Sequence, residues 1–184
     1  FEPDRGGVYF GTSLGGAATL ETAYIDLFEK NASRVHPMSI IGTMPNSAAA
    51  HVAIECGVQG PSLTYAVACA SSAVAIGEAF RAIQSGGIDL AVAGGAESLL
   101  TFGIMKSWEA LMTLAVEDKL RPETSCRPFA VDRTGLVLGE GAGALVLEEW
   151  ERAHARGAEI LAEVVGYGLC NDGVHMSRPD AGGQ

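Results

Sequence analysis

No C-x-x-C pair and no metal-ligand spacing occurs among the cysteines. Cys56, Cys69, Cys126 and Cys170 lie far apart in the chain, which argues against a zinc site or a redox dithiol. A reducing, cytoplasmic setting is the default for such a set. No apolar run is long enough to span a bilayer, so no membrane helix is expected. The first residues, Phe1-Glu2-Pro3-Asp4-Arg5, have neither a basic n-region nor an apolar h-region, and no secretion signal is visible there. Positive charge is scarce: 12 Lys and Arg against 22 Asp and Glu leave a formal net charge of −10. That balance disfavours nonspecific binding to nucleic acid.

What is present suits one globular unit. The 184 residues are the size of an ordinary domain, and 48% apolar content supplies a core and argues against disorder. The 24 glycines fall at expected strand ends and turns rather than in a collagen-like period. One stretch organises the rest. Gly60-Pro61 is a turn signal, and residues 63–67 are apolar and partly β-branched or aromatic, which predicts a buried strand. Cys69 follows, and Ser71 and Ser72 are N-cap candidates for a helix running to Gln84, stopped by Ser85-Gly86-Gly87. A strand–turn–helix of this kind exposes one atom at the sheet edge. A helix start also favours negative charge on a thiol. Free cysteines are commonly small, buried and inert, and these residues alone favour that reading for Cys69 over the nucleophile.

Before this stretch, Gly7-Val8-Tyr9-Phe10-Gly11-Thr12 reads as a strand running into a glycine-rich turn at residues 13–16, followed by a helix over 17–30. Residues 31–37 read as a loop and 38–43 as an apolar connector. Asn46 or Ser47 can cap a helix through Cys56, ended by Gly57. After it, residues 88–93 form a strand, so strand–helix–strand with short connections predicts a βαβ unit and a parallel sheet. The Ala- and Gly-rich helix between them is expected to be buried nearly all round. Residues 101–115 have helical apolar spacing, and 116–127 form a charged loop. Gly139-Glu140-Gly141-Ala142-Gly143 has the G-x-G-x-G look of a nucleotide loop, yet a strand at 144–147 follows it directly where a helix is required. Two strands joined by a glycine-rich bend are the reading here. A charged helix over 148–156, a long strand over 158–169 and a loop-like tail over 170–184 complete the chain. His36, His51, His154 and His175 have no metal-like spacing, and each on its own reads as a structural or solvent-facing histidine.

Several blocks, in order, resemble the elongating β-ketoacyl-(acyl carrier protein) synthases of the thiolase-like fold. Phe10-Gly11-Thr12-Ser13 resembles the family's first preserved strand and turn, and Pro45-Asn46 its second helix start. Gly60-Pro61-Ser62 with Ala68-Cys69-Ala70-Ser71-Ser72 resembles the active-site block. Ala93-Gly94-Gly95-Ala96-Glu97 resembles A-G-G-x-E. Arg127-Pro128-Phe129, Arg133, Gly135 and Gly139-Glu140-Gly141-Ala142-Gly143 resemble the later R-P-F, R-D-G-F-V and G-E-G-A-G blocks. Asp172-Gly173-Val174-His175-Met176 resembles the D-x-x-H-M around the first catalytic histidine.

The resemblance implies an α/β thiolase-like layered α-β-α fold, mostly its N-terminal half-repeat. Residues 1–157 would be that half without its first strand, and 158–184 the start of a truncated C-terminal half. It implies that Cys69 accepts the acyl group from a thioester, with its own N–H in the oxyanion hole. His175 would hydrogen-bond the malonyl carbonyl as CO₂ leaves, and the carbanion would extend the acyl chain by two carbons. Neither metal nor organic cofactor is implied, since the substrates ride on the phosphopantetheine of acyl carrier protein. The chain departs from the family at Ala130 and Thr134, where Asp is usual. Leu136 stands where a Phe lies near the nucleophile and is a candidate for shaping the substrate pocket. Tyr65 replaces an aliphatic residue in a strand that pairs across the family's homodimer interface.

A second histidine, a lysine and the loop completing the oxyanion hole would follow Gln184, so an isolated fragment is expected to leave an apolar sheet face uncovered, and neither to fold stably nor to condense. Acyl carrier proteins are acidic, as is this chain, so docking needs a local basic patch; Lys106, Lys119, Arg121 and Arg127 are the candidates. The alternatives are a thiolase or starter-type condensing enzyme, disfavoured by D-x-x-H-M and G-E-G-A-G, and a non-catalytic condensing-fold partner, disfavoured by the intact Cys69.

Overall fold

The computed structural model describes residues 1–182. Strand β1 (Gly6–Gly11) lies at the centre, between β2 (Ser62–Tyr65) and β3 (Leu90–Glu97), both parallel to it. Strand β4 (Gly141–Glu148) pairs antiparallel with β3, giving the order β2-β1-β3-β4. All six residues of β1 are buried. Successive side chains on a strand point to opposite faces, and the two faces of β1 accordingly make two cores. Val8 and Phe10 pack with Ala49 and Val58 on one side. Tyr9 packs with Ala75, Ala79, Ile88, Ala91 and Ala93 on the other.

Helices cover both faces. α3 (Ser47–Cys56) packs on one side, with the short α2 (Ser39–Thr43) against it and α1 (Ala17–Phe28) against α2; α4 (Ser71–Gln84) packs on the other. α3 ends where Gly57 turns left-handed at φ 65°, a conformation glycine enters without a Cβ clash. The small residues of α4 let its first turn press on the end of β1. A Cβ on Gly11 would overlap the backbone of Ser71 and Ser72. Beyond the sheet, α5 (Phe102–Ala110) follows β3, and α6 (Trp150–Ala155) follows β4. At the sheet's other end Asp89 accepts from Arg5 and pairs with Arg152, tying the chain start, β3 and α6 together. No helix among the described residues is long and apolar enough to cross a membrane.

The βαβ unit and parallel central strands match the sequence reading; several other elements differ. Residues 158–169 form no strand. Their β-type composition is a preference for a pleated, half-buried surface, and ladder hydrogen bonds need a neighbour that the described residues do not supply. Leu161 and Val165 stand 90% and 83% exposed as a result. Leu136 makes only an isolated bridge to Leu114, and the glycines of residues 141–143 belong to β4 itself rather than to a bend. Residues 39–43 are helical rather than a plain connector. α5 stops at Ala110, just before Met112 takes φ 56°. α4 is buried on one side only, through Ser71, Val74, Ala75, Gly77 and Ala79. β4 leaves Leu145 and Val146, on its two faces, exposed. Of the expected tail loop, residues 183 and 184 lie outside the described residues.

Candidate active site

The turn from β2 into α4 is an elbow built on local strain and one buried hydroxyl. Ala68 takes φ 46°, in the left-handed region that costs a side-chain-bearing residue roughly 1–2 kcal/mol. Residues Ala68–Ala70 form a single 3-10 turn, closed by Ala70 N–H donating to the Val67 carbonyl at 3.0 Å. The Ser71 hydroxyl, 3% exposed, accepts from Val67 N at 2.8 Å and donates to the Ala68 carbonyl at 2.7 Å. Ser71 was expected to cap α4; instead its hydroxyl reaches back and fastens the turn that carries Cys69. The Cys69 thiol is thereby held at the C-terminal edge of the sheet, immediately before a 14-residue helix.

A cavity of about 700 Å³ opens over this elbow. Its floor is the ends of β1 and β3, at Gly11 and Gly95, with Cys69 and Ser72 beside them. Leu14, Leu99, Trp108, Leu136 and Val137 make its apolar wall. Leu136 is half exposed, held by its N–H to the Thr113 carbonyl at 2.9 Å and by Ala115 N–H to its own carbonyl at 2.8 Å. The structure thus brings Cys69 and Leu136, residues 67 apart in the chain, onto one cavity.

His175 is not on that wall. It sits exposed in the irregular segment after α6, in a loop tied by Asp172, which accepts from Val174 N at 3.2 Å and Asp180 N at 3.0 Å. Its Nδ1 accepts from Ser177 N at 3.0 Å and Arg178 N at 3.1 Å. A ring nitrogen that accepts carries no proton, which leaves any single ring N–H on Nε2.

The four basic candidates are divided. Lys106 pairs with Glu109, and Arg127 with Asp132 at 2.8 Å. Lys119 and Arg121 have no ion-pair partner among the described residues. They flank a loop that Asp118 organises by accepting from Arg121 N, Leu120 N and Thr124 Oγ1, contacts that hold its carboxyl below the usual range. All four cysteines are exposed free thiols, so exposure does not single out Cys69; the elbow and the cavity do. Among the described residues, no group of three His, Cys, Asp or Glu side chains is arranged to hold a metal ion.

Sequence reasoning missed three carboxylates that brace the surroundings. Glu97 binds the turn after β1, Glu140 accepts from Ser98 Oγ and Leu100 N, and Glu21 accepts from Phe102 N and Gly103 N at the start of α5. The available signals were Glu97 closing an Ala-Gly strand and Glu140 inside a glycine run. Neither says which distant N–H groups the carboxylate will meet.

A mixed α/β sheet covered by helices, with the β2–α4 elbow opening into an apolar cavity, is a thiolase-like fold. A family model described as "Beta-ketoacyl synthase, N-terminal domain" matches residues 1–153. The 3-oxoacyl-[acyl-carrier-protein] synthase 2 of Staphylococcus aureus is 41% identical over 181 residues, 98% of this chain and 44% of that protein. The synthase 2 of Rhizobium meliloti (strain 1021) is 41% identical over 178 residues, 97% of this chain and 42% of its own length. Among solved structures, a β-ketoacyl synthase from Burkholderia phymatum STM815 superposes with a TM-score of 0.82 at 38% identity, over 95% of this chain and 42% of that one. A type II PKS acyl-carrier protein in complex with its ketosynthase bound to the hexaketide gives 0.88 at 31% identity, over 96% and 44%. The chain belongs to the β-ketoacyl synthase family, in its N-terminal domain. It spans less than half the length of these relatives.

Proposed function

We propose that this chain carries the nucleophile of a β-ketoacyl-(acyl carrier protein) synthase. The observation that carries this is Cys69 at the β2–α4 elbow, on the floor of the apolar cavity. In the first half-reaction the Cys69 sulfur attacks the carbonyl of an acyl thioester. The tetrahedral intermediate collapses, the phosphopantetheine thiol leaves with the proton that Cys69 gave up, and the acyl chain stays on Cys69. In the second, malonyl thioester loses CO₂, and the electron pair of the broken C–C bond passes into an enolate. The family resemblance assigns the donor to its oxygen to His175, which lies outside the Cys69 cavity in this structure. The enolate carbon attacks the acyl carbonyl, the C–S bond breaks, and Cys69 is returned with a chain two carbons longer. The cavity's apolar wall suits an acyl chain, and Leu136 contributes to its shape.

The wider reading follows. Residues 1–157 are the N-terminal half of the condensing fold and 158–184 the beginning of the other half, in keeping with the family match over residues 1–153. Substrates arrive on acyl carrier protein, with no further cofactor, and the free thiols suit the cytoplasm. Lys119 and Arg121 are the better docking candidates, because Lys106 and Arg127 are already paired. β2 is an edge strand, which suits pairing with β2 of a second copy in a homodimer.

The test is mass spectrometry of the full-length protein after exposure to an acyl thioester. An acyl mass on the peptide containing Cys69, absent from Cys69→Ala, is expected. Condensation with malonyl thioester should fall by at least about 100-fold in that variant. An acyl group found on Cys56, Cys126 or Cys170 instead would sink the reading.

A further inference from the structure

Glu97 ends β3 on the cavity wall, opposite the turn that leaves β1. Its two oxygens take four hydrogen bonds from that one turn. Oε1 accepts from Thr12 Oγ1 at 3.0 Å and Leu14 N at 3.4 Å; Oε2 accepts from Ser13 N at 2.6 Å and from Ser13 Oγ. Gly15 N–H adds a fifth link by donating to Thr12 Oγ1 at 3.2 Å. Thr12, Ser13 and Leu14 line the same cavity as Cys69. A carboxylate this fully engaged is not free to move a substrate proton. It is built to hold a piece of backbone.

The chemistry requires a carboxylate. Each oxygen serves one backbone N–H, a donor that cannot reverse, and one hydroxyl, which can. An amide has a single acceptor oxygen, so glutamine would set its NH₂ against one of the two N–H groups. Aspartate is one methylene shorter and cannot span both from the same backbone position.

We infer that Glu97 is a positioning residue that fixes the turn of residues 12–14 as a wall of the Cys69 cavity, and so sets the affinity for the acyl thioester entering it. This rests on the condensing-enzyme reading.

The test is steady-state kinetics of the full-length protein, with iodoacetamide labelling of each cysteine alongside. Glu97→Gln is expected to raise KM for the acyl thioester by about tenfold with kcat within about threefold, and to leave the labelling rate of Cys69 near that of the parent. Ser13→Ala, which removes one hydroxyl and keeps the N–H, should raise KM by a smaller factor. Unchanged KM in both variants overturns the inference while leaving the condensing reading intact. If Glu97→Gln loses the cooperative denaturation transition of the parent, it has unfolded the chain. Ser13→Ala then decides alone, a raised KM supporting the inference and an unchanged one overturning it. A parent protein whose Cys69 takes no acyl group removes the reading and the inference with it.

Discussion

Ala68 and Ser71 divide the work of presenting Cys69. Ala68 holds a left-handed backbone that its own Cβ resists, and Ser71 supplies the two hydrogen bonds that keep it there. Removing that buried hydroxyl leaves the Val67 N–H without a partner. Ser71→Ala is expected to cost about 1–3 kcal/mol in chemical denaturation and to slow acylation of Cys69. Ala68→Gly should be tolerated within about 1 kcal/mol, since glycine adopts this φ freely. A β-branched replacement at the same position should be worse than either. An Ala68→Val protein as stable and as reactive as the parent would show that the strain is not there.

At the scale of elements, distant segments are joined by carboxylates that accept backbone or hydroxyl donors. Burial pushes the Glu97 carboxyl up, but the hydrogen bonds from Ser13, Thr12 and Leu14 outweigh it and hold it below the usual range. Glu140 is lowered by Leu100 N–H and Ser98, and Glu21 by Thr101 and the start of α5. A carboxylate with a depressed folded value contributes stability that is full above its unfolded value and disappears as pH falls through the folded one. Denaturation midpoints should therefore decline below pH 4.5, the ordinary glutamate value. Glu97→Gln should flatten part of that decline; an identical pH profile would remove Glu97 from it. α4 offers a second test. A Cβ on Gly77 would run into the Tyr167 ring, over which the Arg81 guanidinium sits 4.6 Å from the centroid. Gly77→Ala should lose stability in the parent. In a Tyr167→Ala background it should instead gain about 0.5–1 kcal/mol from the better helix former. The same sign in both backgrounds would refute the contact.

For the whole molecule, the net charge of −10 opposes an acidic partner at long range. The docking proposed above then falls to Lys119 and Arg121, which have no ion-pair partner among the described residues. Reversing both Lys119 and Arg121 to Glu is expected to weaken binding of acyl carrier protein by about tenfold at low salt, with the difference shrinking as salt rises. A calorimetric titration giving unchanged affinity would move the docking surface elsewhere. The sheet also presents β2 as an open edge. Tyr65 there is stacked on Tyr9 at 6.3 Å, and burial pushes its hydroxyl up to about 12.

Much of this was legible in the residues. The order β1, α1, α3, β2, α4, β3 follows from apolar periodicity and from glycine stops such as Gly57, because helix, strand and turn preferences act within a few residues. The same locality marks Cys69 as an elbow residue. What sequence could not decide were the partners across the chain. Ser71 looked like a cap and became a clasp, because its hydroxyl met Val67 N once β2 and α4 had closed the turn. Residues 158–169 looked like a strand and found no ladder. Glu97 looked like the end of a motif and became a brace, because β1 and β3 lie in register and bring residues 12–14 to a carboxylate more than eighty positions away. Local propensity is written in neighbouring residues, whereas satisfying a buried donor depends on what the fold carries to it.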